Sequence, residues 1–175
     1  MKVLLGLTGS IAAILAPKIM EELKDSGHNV KWLFTPSASF VFSEGLVGKD
    51  VDEFAYYKRT KEVLHIELRR EFDALLIAPL SANTLGKISN GLCDNVLTNV
   101  VRCWDYNKPM ILAPAMNTYM WENPITNRQL NIMRDMGARI VPPVYKTLAC
   151  GDTGLGALAP ISDIVKEVDI CLTSH

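Results

Sequence analysis

Met110-Ile111-Leu112-Ala113, followed at once by Pro114-Ala115-Met116-Asn117-Thr118-Tyr119-Met120-Trp121, is the stretch on which the fold turns. An unbroken apolar run fits a parallel strand covered on both faces, and the polar turn after it lies at the strand's carboxyl end, where open α/β sheets bind ligands. Asn117 is then a candidate ligand contact, and Met116, Met120 and Trp121 are candidate pocket walls. The competing local reading is a strand-to-helix turn in which Asn117 only caps a helix.

The same alternation extends in both directions. Val3-Leu4-Leu5-Gly6-Leu7 reads as a first buried strand, with Thr8-Gly9-Ser10 as the turn into an apolar helical stretch that ends near Asp25-Ser26-Gly27. Pro17 inside that stretch would cost about 3 kcal/mol unless it kinks the helix or starts a second one, so a break is expected there. Val30-Lys31-Trp32-Leu33-Phe34 is a second strand, and residues 35–39 form a small-hydroxyl loop feeding a helix. Residues 45–61 mix glycine with charge without a period and read as a mobile or irregular connection. Residues 63–71 suit a short helix, because Leu64 and Leu68 share one face.

Ala74-Leu75-Leu76-Ile77-Ala78 is a third strand whose exit, Pro79-Leu80-Ser81-Ala82-Asn83-Thr84, again carries small polar residues. Helices are expected around 85–89, 94–104 and 126–136, and Ala138-Arg139-Ile140-Val141 is a last strand halted by Pro142-Pro143. Strand and helix alternating throughout imply a doubly wound parallel sheet, a three-layer α/β/α architecture of Rossmann-like or flavodoxin-like type, in one domain spanning residues 1–175.

Composition narrows the class. The 175 residues are 49% hydrophobic and 21% charged, with net charge -1, which gives no electrostatic case for nucleic acid. The four cysteines, Cys93, Cys103, Cys150 and Cys171, show neither CxxC spacing nor paired histidines, so no metal site and no disulfide framework is suggested. A reduced, cytoplasmic protein without membrane spans is the expectation. The apolar excess is compatible with a buried interface between subunits.

Loops after successive strands carry Gly9-Ser10, residues 35–39, residues 81–84 and Met116-Asn117. Hydroxyls and free N–H groups at helix starts bind phosphate without a lysine, so a phosphorylated cofactor is the natural occupant, although each loop could simply cap its helix. The absence of GxGxxG and of GxxxxGK[ST] argues against a dinucleotide dehydrogenase and a P-loop NTPase. His65 is the one histidine neither terminal nor beside a turn; alone it could be a packed surface residue or a base. Cys150 opens a glycine-rich stretch, Cys150-Gly151-Asp152-Thr153-Gly154-Leu155-Gly156, expected to be a mobile flap presenting an accessible thiol, whereas Cys93, Cys103 and Cys171 fall in helical contexts as inert core residues.

Together, Leu64-His65-Ile66-Glu67-Leu68-Arg69-Arg70, Ala78-Pro79-Leu80-Ser81-Ala82-Asn83-Thr84-Leu85-Gly86-Lys87, Pro114-Ala115-Met116-Asn117-Thr118-Tyr119-Met120-Trp121 and Leu148-Ala149-Cys150-Gly151 resemble the homo-oligomeric flavin-containing cysteine decarboxylases, and among them the phosphopantothenoylcysteine decarboxylases. The resemblance covers nearly the whole chain. It implies FMN as cofactor, conversion of 4'-phospho-N-pantothenoylcysteine to 4'-phosphopantetheine in coenzyme A synthesis, and a homotrimer with the flavin at a subunit interface.

By the same resemblance, Gly9, Ser10, Ile11, Thr35, Ser37, Phe40, Ser81, Ala82, Asn83, Thr84, Leu85 and Met116 would hold FMN. Asn117 would bind the substrate carboxylate, with Met120, Thr147, Leu148 and Ala149 around the substrate; His65 would be the base and Cys150 the proton donor. The chemistry requires such a set, because a cysteinyl carboxylate has no electron sink until its thiol is oxidised to a thioaldehyde, and FMN is the two-electron acceptor. The net reaction is redox neutral, so no external NAD(P)H is expected.

Two departures stand out. The flap ends Gly156-Ala157-Leu158-Ala159-Pro160 where the family usually has Gly-x-Met-Ala-Glu, and Pro36 inside the proposed phosphate loop has no N–H to donate. Two further possibilities follow from the resemblance: a non-catalytic flavin-binding regulator of a protein phosphatase, whose long extensions are not expected here, and another flavin enzyme of the fold, either a peptidyl-cysteine decarboxylase or a prenyltransferase that would have no use for Cys150.

Overall fold

The computed structural model describes residues 1–39 and 53–173. Strands β1 (Lys2–Leu7), β2 (Asn29–Phe34), β3 (Ala74–Leu80), β4 (Met110–Pro114) and β5 (Arg139–Ile140) pair in parallel in the order β2-β1-β3-β4-β5. The chain works outward from β1 to one edge and from β3 to the other, so the order reverses between β1 and β3, the crevice where open α/β sheets bind ligands.

Two-sided burial follows from alternation along these strands. Leu5, Leu7, Leu76, Ala78, Ile111 and Ala113 enter one core cluster, completed by α1 (Ala16–Asp25) and α9 (Ile161–Thr173). Leu4, Leu75, Ile77 and Leu112 enter the other, against α5 (Ala82–Ser89), α6 (Val96–Arg102) and α8 (Pro124–Asp135). The result is the expected three-layer α/β/α stack. His28 belongs to this framework: its Nε2 lies 2.7 Å from Asp169 Oδ1 and ties the turn before β2 to α9.

The break at Pro17 takes a definite form: a 3-10 helix covers Ile11–Leu15, and α1 begins at Ala16 with the proline in its first turn, where a missing N–H costs nothing. Pro36 does the same for α2 (Pro36–Ser39), so that loop is already helical. Part of the expected irregular connection is also helical, as α3 (Glu53–Thr60), which is followed by α4 (Leu64–Glu71). The earlier residues of that connection, and Phe40 with them, lie outside the described residues.

Residues 139–140 are not the last strand. β6 (Val144–Thr147) and β7 (Thr153–Ala157) pair antiparallel in a separate hairpin, so the proposed flap is a formed ribbon with Cys150 at its turn. Its root is fixed by backbone contact: Met116 N donates to Gly156 O at 3.0 Å, and a Cβ on Gly156 would stand 2.2 Å from Met116 O. Gly156 also holds φ at +150°, so glycine is required there on both counts.

Leu158 is buried in the first core cluster, and the carbonyl of Pro160 accepts from Asp163 N and Ile164 N at the start of α9. Leu158 and Pro160, where the flap departs from the family sequence, therefore fall at the hairpin's exit, away from its tip. Cys93 departs from expectation: it is exposed between α5 and α6, while Cys103 is half-buried at the end of α6 and Cys171 is buried in α9.

Candidate active site

Every loop of interest emerges at the carboxyl edge of the sheet. Thr8, fully buried after β1, donates through Oγ1 to Pro79 O (2.8 Å) and accepts from Ser81 N (2.7 Å), pinning the end of β1 to the end of β3. Ser81 caps α5 by accepting from Thr84 N, and its hydroxyl also meets Thr84 Oγ1. Leu85 is fully buried and its N–H is taken by Ser81 O, so it closes the first turn of α5 from inside. Ala82 is half-buried and Asn83 exposed at that helix start.

A cavity of about 100 Å³ opens beside them, lined by Thr35, Pro36, Ser37, Asn83, Thr84 and Lys87, with Asp94 and Asn95 across from Lys87. Lys87 donates to Asp94, and that hydrogen bond holds the Asp94 carboxyl below the usual range. Among the described residues, Thr35 Oγ1 is buried without a hydrogen-bond partner. A buried hydroxyl left unpaired is costly, so its position marks a place where a ligand oxygen is wanted. A Cβ on Gly9 would lie 2.5 Å from Ser37 Cβ, so the loops after β1 and β2 meet only because residue 9 has no side chain. Ser10 is half-buried, and Ile11 is 64% exposed beside these loops.

Beyond β4, Met116 is buried and Asn117 does two things at once. Its Oδ1 accepts from Tyr119 N (2.9 Å), capping α7 (Thr118–Trp121), and its Nδ2 reaches Asp152 Oδ2 (2.8 Å) and Cys150 Sγ (3.4 Å). The cap reading of Asn117 is thus realised by one end of the amide, while the other end faces the thiol. Cys150 in turn donates to Asp152 Oδ2 at 3.3 Å. Around this trio, Met120 is exposed, Thr147 Oγ1 pairs with Thr153 Oγ1, Leu148 is half-buried and Ala149 is exposed. Trp121 packs against the second core cluster.

His65 stands apart from that trio, in the first turn of α4. Its ring Nδ1 bonds Glu53 Oε1 and its backbone N–H donates to the same oxygen at 3.1 Å. The other oxygen of Glu53 accepts from Asn99 Nδ2 at 2.8 Å. Burial pushes the Glu53 carboxyl up, but the hydrogen bonds from His65 and Asn99 prevail and hold it below the usual range. Cys103, whose thiol burial pushes up, lies 3.7 Å from His65 O. Neither Glu53 nor Asn99 was singled out from sequence; a carboxylate twelve residues before an isolated histidine, on another helix, leaves no periodic signal.

No cluster of His, Cys, Asp or Glu able to hold a metal, and no helix long and apolar enough to cross a membrane, occurs among the described residues.

Residues 1–173 match the flavoprotein family. The phosphopantothenoylcysteine decarboxylase of Mus musculus is 46% identical over 99% of this chain and 88% of its own length, and that of Arabidopsis thaliana is 45% identical over 95% and 83%. A solved cysteine-to-serine mutant of a PPC decarboxylase complexed with pantothenoylaminoethenethiol superposes with a TM-score of 0.88 at 44% identity, covering 97% of this chain and 96% of that one. The structure described as the FMN binding protein AtHal3 superposes with a TM-score of 0.86 at 44% identity, over 99% of this chain and 97% of the other. The peptidyl-cysteine decarboxylase EpiD, at 24% identity and a TM-score of 0.74, shares the fold. The chain belongs to the flavoprotein family, among the phosphopantothenoylcysteine decarboxylases.

Proposed function

We propose that residues 1–175 act as one cytoplasmic flavoprotein domain that binds FMN and decarboxylates 4'-phospho-N-pantothenoylcysteine to 4'-phosphopantetheine, with three copies completing its sites. The observation that carries this is the Asn117 amide set between a thiol and a carboxylate at the carboxyl edge of β4, beside hydroxyl-lined loops.

The residues present fit the cofactor. The unpaired Thr35 hydroxyl, the exposed Ser37 and the start of α5 suit a phosphoryl group, and Pro36 leaves that work to the hydroxyls beside it. A cavity of about 100 Å³ takes a phosphoryl group, and Gly9, Ser10, Ile11, Ala82, Asn83 and Met116 would hold the rest of the cofactor. FMN, when bound, supplies two-electron oxidation of the substrate thiol and returns the electrons at the end.

The chain's own groups supply the rest. Asn117 Nδ2 donates to the substrate carboxylate and orients it, with Met120, Thr147, Leu148 and Ala149 around the substrate. His65 Nε2 takes the proton released as the thiol is oxidised. Cys150 donates a proton to carbon after CO₂ has left, and Asp152 stands next to it. In one copy, among the described residues, His65 bonds Glu53 and Cys103, with Asn99 on the far oxygen of Glu53, rather than Asn117 or Cys150. Exposed apolar side chains flank both halves, Tyr57 and Val63 near His65, and Tyr119, Met120 and Ile125 near Asn117. A second copy that buries these surfaces would bring the halves together, which supports the trimer with flavin at its interface.

The test is the spectrum and turnover of the purified protein. Absorbance bands near about 370 and 450 nm, together with CO₂ release from the phosphorylated substrate, are expected of the flavoenzyme. A colourless protein that takes up no FMN would overturn the assignment.

A further inference from the structure

We propose that Glu53 is a positioning residue for the reaction: it holds the His65 ring as the Nδ1–H tautomer, leaving Nε2 free to take the proton. The inference rests on the reading of His65 as the base.

Three contacts from two other helices converge on this carboxylate of α3. Oε1 receives both the ring Nδ1 and the backbone N–H of His65, and Oε2 receives Asn99 Nδ2 from α6. An ionised carboxylate only accepts, so the ring nitrogen against it must carry the hydrogen. A neutral imidazole has one such hydrogen, and Nε2 is therefore the lone-pair nitrogen. The double contact to ring and backbone fixes both the tautomer and the rotation of the ring.

Glu53 and His65 are 22% and 25% exposed in their side chains, so the pair is partly shielded from water. Among the described residues the ionic partner of Glu53 is His65 rather than a lysine or arginine, as a carboxylate serving only the surface would have. When Nε2 gains a proton, the resulting cation faces that carboxylate, as in other histidines backed by an acid. Glu53 stays ionised below the usual carboxylate range, so this support persists until pH falls through its lowered value.

The chain has three histidines, so ¹⁵N-histidine labelling gives a spectrum in which H65N identifies the His65 signals. The FMN-loaded protein should show His65 with Nδ1 protonated. In E53A the tautomer preference should be lost and kcat should fall about a hundredfold while KM moves less than about threefold. E53Q, which keeps an acceptor on the same stem, should retain the tautomer and recover part of kcat. Should E53A lose its flavin spectrum, E53D, which withdraws the carboxylate by one methylene, should lose tautomer and kcat together. An E53A ring that keeps Nδ1–H, or a loss carried by KM, would overturn the assignment. A shifted tautomer with unchanged kcat would overturn it as well, and undiminished turnover by H65N in the same assay would place that failure in the reading of His65.

Discussion

His65 and Cys150 are held by opposite kinds of support. His65 lies on α4, with Glu53 from α3, Asn99 from α6 and Cys103 beyond it all bonding to it or to its carboxylate. Cys150 sits at the exposed turn of a two-stranded ribbon, and its contacts are two side chains, Asn117 and Asp152. The ribbon is anchored along β7, where Gly156 meets Met116 and Gly154 packs against Thr118, rather than at its tip. One group is oriented before substrate arrives; the other is carried on an element whose tip is set by contacts that a ligand can replace. A preorganised base suits a step that breaks bonds at a fixed geometry, and a replaceable tip suits a group that must also admit substrate and release product.

The largest effect should therefore come from the preorganised half. If His65 is the base proposed above, His65→Asn should lower CO₂ release by more than about a thousandfold while leaving the protein yellow, because the hydroxyl loops are untouched. Single-turnover CO₂ measurement against the flavin spectrum checks this, and surviving turnover would remove His65 from the chemistry. At the ribbon tip, Cys150→Ser should still lose CO₂ but form the final thiol about a hundredfold more slowly, with an oxidised enethiol accumulating. Mass spectrometry of the product distinguishes the two, and normal phosphopantetheine formation would contradict the role of the thiol.

The same contrast governs what was legible beforehand. Strands β1, β3 and β4 announce themselves because each is an apolar run buried on both sides, and Pro17 marks its own break. α3 does not: none of its residues is buried, and what gives it meaning is a carboxylate meeting a histidine and an asparagine far along the chain. The hairpin was missed for a related reason. β6 is mostly exposed and β7 alternates glycine with other residues, so neither carries a hydrophobic signal. Its anchor is a hydrogen bond to Met116, forty residues away in sequence. His65, Asn117 and Cys150 stand out as candidates by residue type and position, with roles that the family resemblance implies, but the contacts that Glu53, Asn99 and Asp152 make with them are products of tertiary packing.

The smaller effects test how replaceable the tip contacts are. Asn117→Asp would set a second carboxylate against Asp152, 2.8 Å from where the amide now bonds, and against the substrate carboxylate as well. KM should rise at least about tenfold, with less change in kcat; an unchanged KM would contradict carboxylate recognition at this position.

Asp152→Asn should do the least and say the most about the tip. In the free protein Asp152 Oδ2 occupies the amide hydrogen that Asn117 would offer to substrate, and it also accepts from the Cys150 thiol. Neutralising it weakens a competitor for Asn117, so KM should fall about two- to fivefold with kcat little altered. If Asp152 is instead needed to place the thiol, enethiol should accumulate as in Cys150→Ser. The paired variant decides between them: in the Asn117→Asp background, Asp152→Asn removes one of two facing carboxylates. It should recover part of the lost KM, a coupling that appears only if residues 117 and 152 share the carboxylate subsite.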